Sequence, residues 1–281
     1  MSGPIPSPCG VIHGEAMADY HSSAAFGFHD LADLTPHPVL FYRKHVAKTI
    51  PAGEDSPALA FGRYFHALAL EGEDVAERDF IQAPDGIDRR TKDGKERWAV
   101  FLAESAGRQI VTEQDVALAW KMVGAIREKP SLCALLDPTL GKPEVTFRVQ
   151  MEYFQLQCRS DWYLDVKGMD VNLKTIDRLS DFDKQFWSYG YYRGAAFYQQ
   201  VIAKATGRGP GKQAFLVVEK NEPYQAVLRI PDEQSIETGW AEVMRDLVRL
   251  KGCFAANVWP GEPDEPRPVS LPDWILKRTA P

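Results

Sequence analysis

The chain has 281 residues, of which 44% are hydrophobic and 26% charged, fractions that are ordinary for a soluble globular protein. No stretch approaches the roughly 20 apolar residues that span a bilayer, and residues 1–14 lack the basic and apolar regions of a signal peptide, so we expect a cytoplasmic protein without a membrane partner. The net charge of −6 argues against a protein that coats nucleic acid indiscriminately, although basic residues gathered locally can still bind DNA.

The first half of the chain is predicted to be mainly helical. Residues 1–18 are rich in Pro and Gly and predict a loose leader, which residues 24–130 follow as a helical N-terminal part. Apolar residues recur at helical spacing around His66, and Thr112 with Asp115 resembles a capping box that opens a helix. Helices are expected over residues 24–34, 39–46, 57–70, 95–106 and 112–129.

The second half of the chain is predicted to alternate strands and helices. Residues 144–149 alternate polar and apolar side chains, which is typical of a half-buried strand. Strands are expected over residues 144–149, 153–162, 170–175, 214–219 and 224–230, and helices over residues 183–205 and 232–251. Residues 259–281 carry six prolines and predict an extended tail. This order predicts a single α/β domain over residues 1–281, with a mixed-sheet core over 140–255 that helices flank.

The four cysteines are far apart in the sequence and form no C-x-x-C pair. They are Cys9, Cys133, Cys158 and Cys253. This spacing argues against a zinc ribbon and gives little support to a disulfide framework, so reduced thiols are expected.

Polar residues on the predicted strands have the spacing of a metal site. Asn172 and Lys174 are two residues apart and therefore project to the same face of their strand. Asp161 ends the preceding strand and Glu144 begins the first one, so the four side chains can meet at one sheet edge. Carboxylates beside a lysine are how many nucleases hold a divalent metal next to a proton-handling group. The alternative is a β-sheet with ordinary polar surface residues.

The chain also resembles a known family over nearly its whole length. The resemblance covers Asp19–His21, Thr35-Pro36, Phe41–Lys44, Phe61–Leu68 with Leu70-Glu71, Arg89–Thr91 with Gly94–Glu96, Glu144, Cys158-Arg159 with Asp161, Leu173–Thr175 and Trp259-Pro260. These residues, in this order and spacing, resemble the exodeoxyribonuclease VIII family, the phage-type recombination exonucleases of the PD-(D/E)xK nuclease superfamily.

The resemblance implies a restriction-endonuclease-like fold and a hydrolase that digests linear double-stranded DNA from 5′ to 3′. It implies dependence on Mg2+, for which Mn2+ can substitute, and 3′ single-stranded tails that a single-strand annealing protein uses in recombination. A ring-shaped homo-oligomer around the duplex is expected on the same ground. By position, His66, Glu144, Asp161 and Asn172 match the metal ligands, and Lys174 matches the catalytic lysine, with Asp161 and Asn172 beside it in the catalytic set.

Two residues depart from the pattern of the family. Asn172 stands where the family has Asp, and a neutral amide offers an oxygen without a charge, which weakens metal binding and water activation. The chain is therefore expected to be an impaired or engineered inactive exonuclease, or alternatively a non-catalytic module that binds DNA ends. An endonuclease for structured single strands is a third class. Gly194 stands where the family often has Gln, one turn before Tyr198.

Basic residues in two places are candidates for contact with DNA. Arg89, Arg90 and Lys95 are predicted phosphate contacts in a stretch with five basic and three acidic residues over 87–97, and Arg159 is predicted near the scissile phosphate. Surface salt bridges are the alternative for each of them. The aromatic residues from Phe186 to Tyr198 can stack on bases, although their helical spacing favours packing in the core.

Overall fold

A six-stranded mixed β-sheet forms the centre of the computed structural model, which describes residues 7–51, 53, 56–105, 107–271 and 275. The strands are β1 (Gly10–Ile12), β2 (Phe80–Gln82), β3 (Gln109–Val111), β4 (Lys142–Gln150), β5 (Gln155–Leu164), β6 (Met169–Ile176), β7 (Lys212–Glu219) and β8 (Ala226–Arg229). The order in the sheet is β1-β4-β5-β6-β7-β8, in which β6 and β7 are parallel and all other neighbours antiparallel. Strands β2 and β3 form a separate parallel pair.

Helices occupy the N-terminal third and the connections between strands. They are α1 (Met17–Ser22), α2 (Phe28–Ala32), α3 (Pro38–Phe41), α4 (Pro57–His66), α5 (Glu73–Asp79), α6 (Lys92–Glu104), α7 (Glu113–Arg127), α8 (Pro130–Leu135), α9 (Phe182–Ser188), α10 (Tyr191–Thr206) and α11 (Glu233–Ala256). A π-helical turn, Ala67–Glu71, continues α4. Among the described residues, no helix combines the length and apolar character that crossing a membrane requires.

The sheet is buried on both faces. Val171 and Leu173 of β6 belong to the apolar cluster that contains residues of α4 and α7. Phe147 of β4 and Leu156 of β5 belong to a second cluster, to which Phe197 of α10 contributes. Helices therefore cover both sides of a mixed sheet, and the predicted α/β fold class is confirmed.

The strands of the core match the predicted ones, whereas the edge strand β1 was not predicted. The predicted strands 144–149, 153–162 and 170–175 correspond to β4, β5 and β6. The prediction of a loose leader is wrong for residues 10–12, because β1 pairs with β4. An ion pair supports this strand: Arg148 Nη2 lies 3.0 Å from Glu15 Oε1, and the Arg148 side chain is fully buried. Residues 1–6 of the predicted leader lie outside the described residues.

The long helix predicted over residues 183–205 is two helices. Gly190 separates α9 from α10 with a left-handed backbone, φ +68°, which stops the first helix and redirects the chain. The helix predicted over 24–34 is also shorter, since α2 spans only Phe28–Ala32. In the predicted tail, Trp259 stacks on Phe41 with ring centroids 6.0 Å apart. Residues 272–274 and 276–281 of that tail lie outside the described residues.

Candidate active site and metal centre

The candidate site lies in a fork between β5 and β6. These strands pair only through Trp162–Leu164 and Met169–Val171, and beyond that point they diverge. Asp161 is the first residue of β5 past the last pair. Its Oδ2 accepts a hydrogen bond from the backbone N–H of Leu173 on β6, at 2.8 Å. The carboxylate therefore satisfies a backbone donor that the interrupted ladder leaves unpaired.

Glu144 faces this fork from an irregular position in β4. The ladder between β4 and β5 pairs Pro143 with Trp162 and Val145 with Ser160, but omits the pair of Glu144 and Asp161 between them. Glu144 has a left-handed backbone, φ +53°, which is rare for a residue with a side chain and costs about 1–2 kcal/mol. Backbone strain of this kind clusters at functional sites, where the surrounding structure holds it.

His66 completes a group of three candidate metal ligands. Its Nδ1 lies 3.7 Å from Asp161 Oδ2, and ligand atoms of His66, Glu144 and Asp161 all lie within 4.8 Å of one another. Ligands on opposite sides of a hard divalent ion are about 4–5 Å apart, twice the metal–oxygen distance. A nitrogen and two carboxylates at this spacing fit one divalent cation, and the structure brings together three of the four predicted ligands from α4, β4 and β5.

Burial and neighbouring charges control the ionisation of these groups. Burial and the Asp161 charge raise the pKa of Glu144 to about 7, against the opposing effect of Arg159. Arg159 Nε lies 2.5 Å from Glu144 Oε2. Burial lowers the pKa of His66, and the Lys174 charge acts in the same direction, whereas Asp161 opposes it. The neutral imidazole that results is the form that binds metals.

Asn172 and Lys174 share a face of β6, as the spacing predicts, and a third polar residue shares it with them. Lys174 Nζ donates to Asn172 Oδ1 at 3.1 Å, and Asn172 Nδ2 donates to Asp170 Oδ2 at 3.2 Å. Asp170 is fully buried, and burial raises its pKa to about 7. Sequence reasoning missed Asp170, although the same period of two that aligns Asn172 with Lys174 also includes it. The metal-ligand role of Asn172 stays a prediction.

The predicted DNA contacts fall into two groups. Arg159 lies in the site, where its Nη1 also donates to the backbone oxygen of Glu15 at 2.9 Å. Arg90 forms a bidentate pair with Asp88, with Nε 2.9 Å from Oδ1, and the Arg89 guanidinium lies 4.7 Å from the Trp98 ring centroid. The remaining residue predicted to contact DNA, Lys95, is exposed on α6.

Gly194, which departs from the pattern of the family, packs closely against Phe28. A Cβ built on this residue would approach Phe28 Cδ1 to 3.2 Å, so a larger side chain requires the Phe28 ring to shift. Gln199 does not supply the missing amide, because its Nε2 donates to the Gly211 carbonyl at 2.7 Å. Gly194 therefore lies at a contact between α10 and α2, at the position where the family often has a Gln.

The aromatic residues from Phe186 to Tyr198 differ in how far they are exposed. Phe186 packs against the small cluster beneath α9, whereas Trp187 and Tyr189 are 65% and 62% exposed. The Tyr191 ring centroid lies 5.7 Å from Lys174 Nζ. Core packing, which the helical spacing favoured, accounts for only part of the stretch.

A mixed sheet whose central strands diverge, with acidic side chains in the fork and a lysine beside them, defines the PD-(D/E)xK class of nuclease folds. Residues 33–266 match a family described as "PDDEXK-like domain of unknown function (DUF3799)", and the chain belongs to that family. The predicted superfamily is thereby confirmed, and its narrower branch is not decided by this match.

One solved structure supports the same fold. A crystal structure of a "Putative exonuclease" from Eubacterium rectale superposes with a TM-score of 0.64 and covers 95% of this chain and 98% of that chain. The two sequences are 14% identical, so the likeness concerns the fold. No curated protein matches the chain in sequence.

Proposed function

We propose that this protein is a metal-dependent exodeoxyribonuclease, impaired by Asn172, that digests linear double-stranded DNA from 5′ to 3′ and leaves 3′ single-stranded tails. The observation that carries the proposal is the convergence of His66, Glu144 and Asp161 in the fork. The substrate and polarity rest on the resemblance to the exodeoxyribonuclease VIII family.

The ligand set suits Mg2+ or Mn2+. Glu144 and Asp161 supply the oxygen ligands that hard divalent cations prefer, and His66 supplies a nitrogen that Mn2+ accepts readily. When bound, such an ion polarises the scissile phosphate and activates a water molecule. The neutral state of His66 and the ionised state of Glu144 are the forms that hold the cation.

The cationic side chains have separate tasks in this proposal. Lys174 lies on β6 with its ammonium held by Asn172, where it orients the attacking water and stabilises charge that develops on the phosphate. Arg159 contacts the Glu144 carboxyl group, with its Nε 2.5 Å from Oε2. With Glu144 engaged by a cation, the guanidinium is available to bind a phosphate oxygen.

The activity is tested on end-labelled DNA. With Mg2+ or Mn2+, we expect label to be released early from 5′ ends and late from 3′ ends of a linear duplex, while a covalently closed circle stays intact. Early release from 3′ ends contradicts the polarity, and cleavage of the circle identifies an endonuclease. The Asp161→Asn variant controls for a contaminating nuclease.

A non-catalytic module that binds DNA ends is the second candidate, and Asn172 is the observation that favours it. Its amide adds no charge to the site, and both of its polar ends already have partners. DNA-end binding without cleavage, in this chain and in the Asn172→Asp variant, supports this candidate. Cleavage by the variant alone supports the role of position 172 as a metal ligand, and equal cleavage by both contradicts it.

The resemblance also extends the proposal to partners. We propose a ring-shaped homo-oligomer that encloses duplex DNA and passes the 3′ strand to a single-strand annealing protein. Light scattering of the purified protein tests the first part, since a monomer at assay concentrations contradicts a ring.

A further inference from the structure

A chain of hydrogen bonds on β6 ends at the candidate catalytic lysine. Ser160 Oγ donates to Asp170 Oδ1, Asn172 Nδ2 donates to Asp170 Oδ2 at 3.2 Å, and Lys174 Nζ donates to Asn172 Oδ1 at 3.1 Å. Asp170 accepts two of these three hydrogen bonds, and the Asn172 amide connects it to Lys174. We propose that Asp170 is a positioning residue that holds Lys174 through the Asn172 amide.

The chemistry of the groups fixes the direction of this chain. Ser160 Oγ and Asn172 Nδ2 both donate to the Asp170 carboxyl group, and the Lys174 ammonium can only donate hydrogen bonds. The amide between them must therefore turn its NH2 group to Asp170 and its oxygen to Lys174. Ser160 and Asp170 are 0% exposed, so water does not replace either partner. Asp170 thus selects one of the two orientations of the amide, and that orientation gives Lys174 its acceptor.

The same geometry explains why an amide suits position 172. Asn172 Nδ2 lies 3.2 Å from Asp170 Oδ2. If residue 172 were Asp, a carboxylate oxygen would take the place of Nδ2 and lie at a similar distance from Asp170 Oδ2. Two ionised carboxylates at this distance repel, and one of them must take up a proton. The resemblance implies a carboxylate at residue 172. In this chain the carboxylate is that of Asp170, two residues earlier on the same face of β6. Asp170 and Asn172 form a matched acceptor and donor pair, and the pair can be exchanged.

Exchanging the two residues tests the proposal. Asp170→Asn removes the acceptor and frees the Asn172 amide to rotate, whereas Asn172→Asp places two carboxylates side by side. The double variant restores one donor and one acceptor, with the carboxylate now beside Lys174. The readout is the rate at which the Lys174 amine is labelled by reductive methylation in metal-free protein, measured by mass spectrometry. Lys220, which pairs with Asp177 at 2.8 Å, is the internal standard.

We expect Asp170→Asn to increase labelling of Lys174 several-fold relative to Lys220, and the double variant to return it to the wild-type rate. Asp165→Asn is the matched control, because Asp165 is an exposed acidic residue in the turn between the same two strands, and its variant should leave Lys174 unchanged. Unchanged labelling in a folded Asp170→Asn variant, or a double variant no closer to wild type than Asp170→Asn, overturns the proposal. If Asp170→Asn does not fold, Asn172→Ala removes the same relay at its middle, and unchanged Lys174 labelling in that variant overturns it equally.

The catalytic consequence rests on the proposed nuclease function. Loss of a supporting partner typically lowers activity by about 10- to 100-fold. For Asp170→Asn we expect this loss in kcat with KM for linear duplex unchanged, and recovery in the double variant. A rise in KM with kcat unchanged contradicts a role at Lys174. If no variant digests DNA while the labelling pattern holds, the nuclease proposal fails and the positioning role stands.

Discussion

At the scale of single residues, Glu144 should control the pH at which the candidate site binds a cation. The residue has a strained backbone that places its carboxylate opposite Asp161. Its pKa is raised to about 7 by burial and by the Asp161 charge. Since a protonated carboxyl group is a poor ligand, a cation must displace a proton near neutral pH. Arg159, whose Nε lies 2.5 Å from Glu144 Oε2, opposes this rise in the pKa without cancelling it.

Metal affinity should therefore depend on pH. Glu144 is protonated below a pKa of about 7 and ionised above it, so we expect Mn2+ affinity to rise as the pH passes upward through that value and then to level. Titration calorimetry in buffers of different ionisation enthalpy measures the accompanying proton release. Glu144→Gln should remove the pH dependence along with most of the affinity, and a wild-type affinity that is flat across this range contradicts the assignment.

Asp161 is the residue whose loss should be most damaging without unfolding the protein. In the Asp161→Asn variant the amide oxygen still accepts from the Leu173 N–H, which preserves the fork. The site loses a charged ligand, and since loss of outer partners alone costs about 10- to 100-fold, we expect at least that loss in metal affinity. Calorimetry with Mn2+ measures it, and thermal unfolding verifies the fold. Metal affinity equal to wild type would exclude Asp161 as a ligand.

Sequence reasoning at this scale succeeded where the strand was regular. The period of two placed Asn172 and Lys174 on one face of β6, and their hydrogen bond verifies it. It gave no sign of the left-handed backbone at Glu144, because that conformation is imposed by the ladder with β5 and not by local residue preference. It also gave no sign that Asp170 pairs with Ser160, a contact made across two strands.

At the scale of elements, the junction of α9 and α10 shapes one side of the site. Gly190 turns the chain there with φ +68°, and Tyr191 at the start of α10 lies against Lys174. The sequence predicted a continuous helix because the aromatic residues keep helical spacing across the break. Only the glycine marks the turn, and glycine within a helical pattern is ambiguous.

Replacement of Gly190 tests how firmly this turn is held. A Cβ there would meet nothing closer than 3.7 Å, so the cost of Gly190→Ala is conformational and should be about 1–2 kcal/mol in the free energy of unfolding. Gly124→Ala is the matched control in α7, where the space is open and the backbone helical, and it should stabilise by about 0.4–1 kcal/mol. Urea denaturation measures both. A Gly190→Ala variant as stable as Gly124→Ala contradicts the assigned turn.

The exposed aromatic residues at this junction should contact unpaired bases. Trp187 and Tyr189 are 65% and 62% exposed, and the Tyr189 ring centroid lies 5.8 Å from that of Tyr191, which in turn contacts Lys174. Stacking contributes about 1–3 kcal/mol per base, so Trp187→Ala should weaken binding of a single-stranded oligonucleotide by that amount in fluorescence anisotropy. Tyr153→Ala, which removes a 44% exposed ring from the β4–β5 turn, is the control. Equal effects of the two substitutions argue against a specific stacking site.

At the scale of the whole molecule, the fold was predictable because its order of elements is distinctive. Three strands, a helical segment, two strands and a final helix leave few ways to bury both faces of a sheet. The short strand β1 was not predictable, since its three residues carry no pattern of their own and are held by pairing with β4 and by the buried Arg148–Glu15 ion pair. Apart from the leader, the predicted division of the chain into a helical part, a sheet core and a tail stays a prediction.

The free energy of unfolding of the whole domain should depend on pH because of the buried Asp170. Its pKa is raised from 3.8 to about 7 by burial, so between these values the folded state keeps a proton that the unfolded state releases. Stability attributable to this group therefore falls as the pH rises from about 4 to 7, by at most about 1.4 kcal/mol per pH unit, and is constant above and below that window. Asp170→Asn has no proton to lose.

The free energy of unfolding of Asp170→Asn minus that of the wild type should thus increase with pH across the window, whatever fixed cost the substitution adds. Urea denaturation of metal-free protein at several pH values measures this difference. The Asp165→Asn control removes an exposed carboxylate, so its difference from wild type should show no comparable rise. A flat difference for Asp170→Asn would mean that Asp170 is ionised throughout, and that the Ser160 and Asn172 donors outweigh the cost of burying its charge.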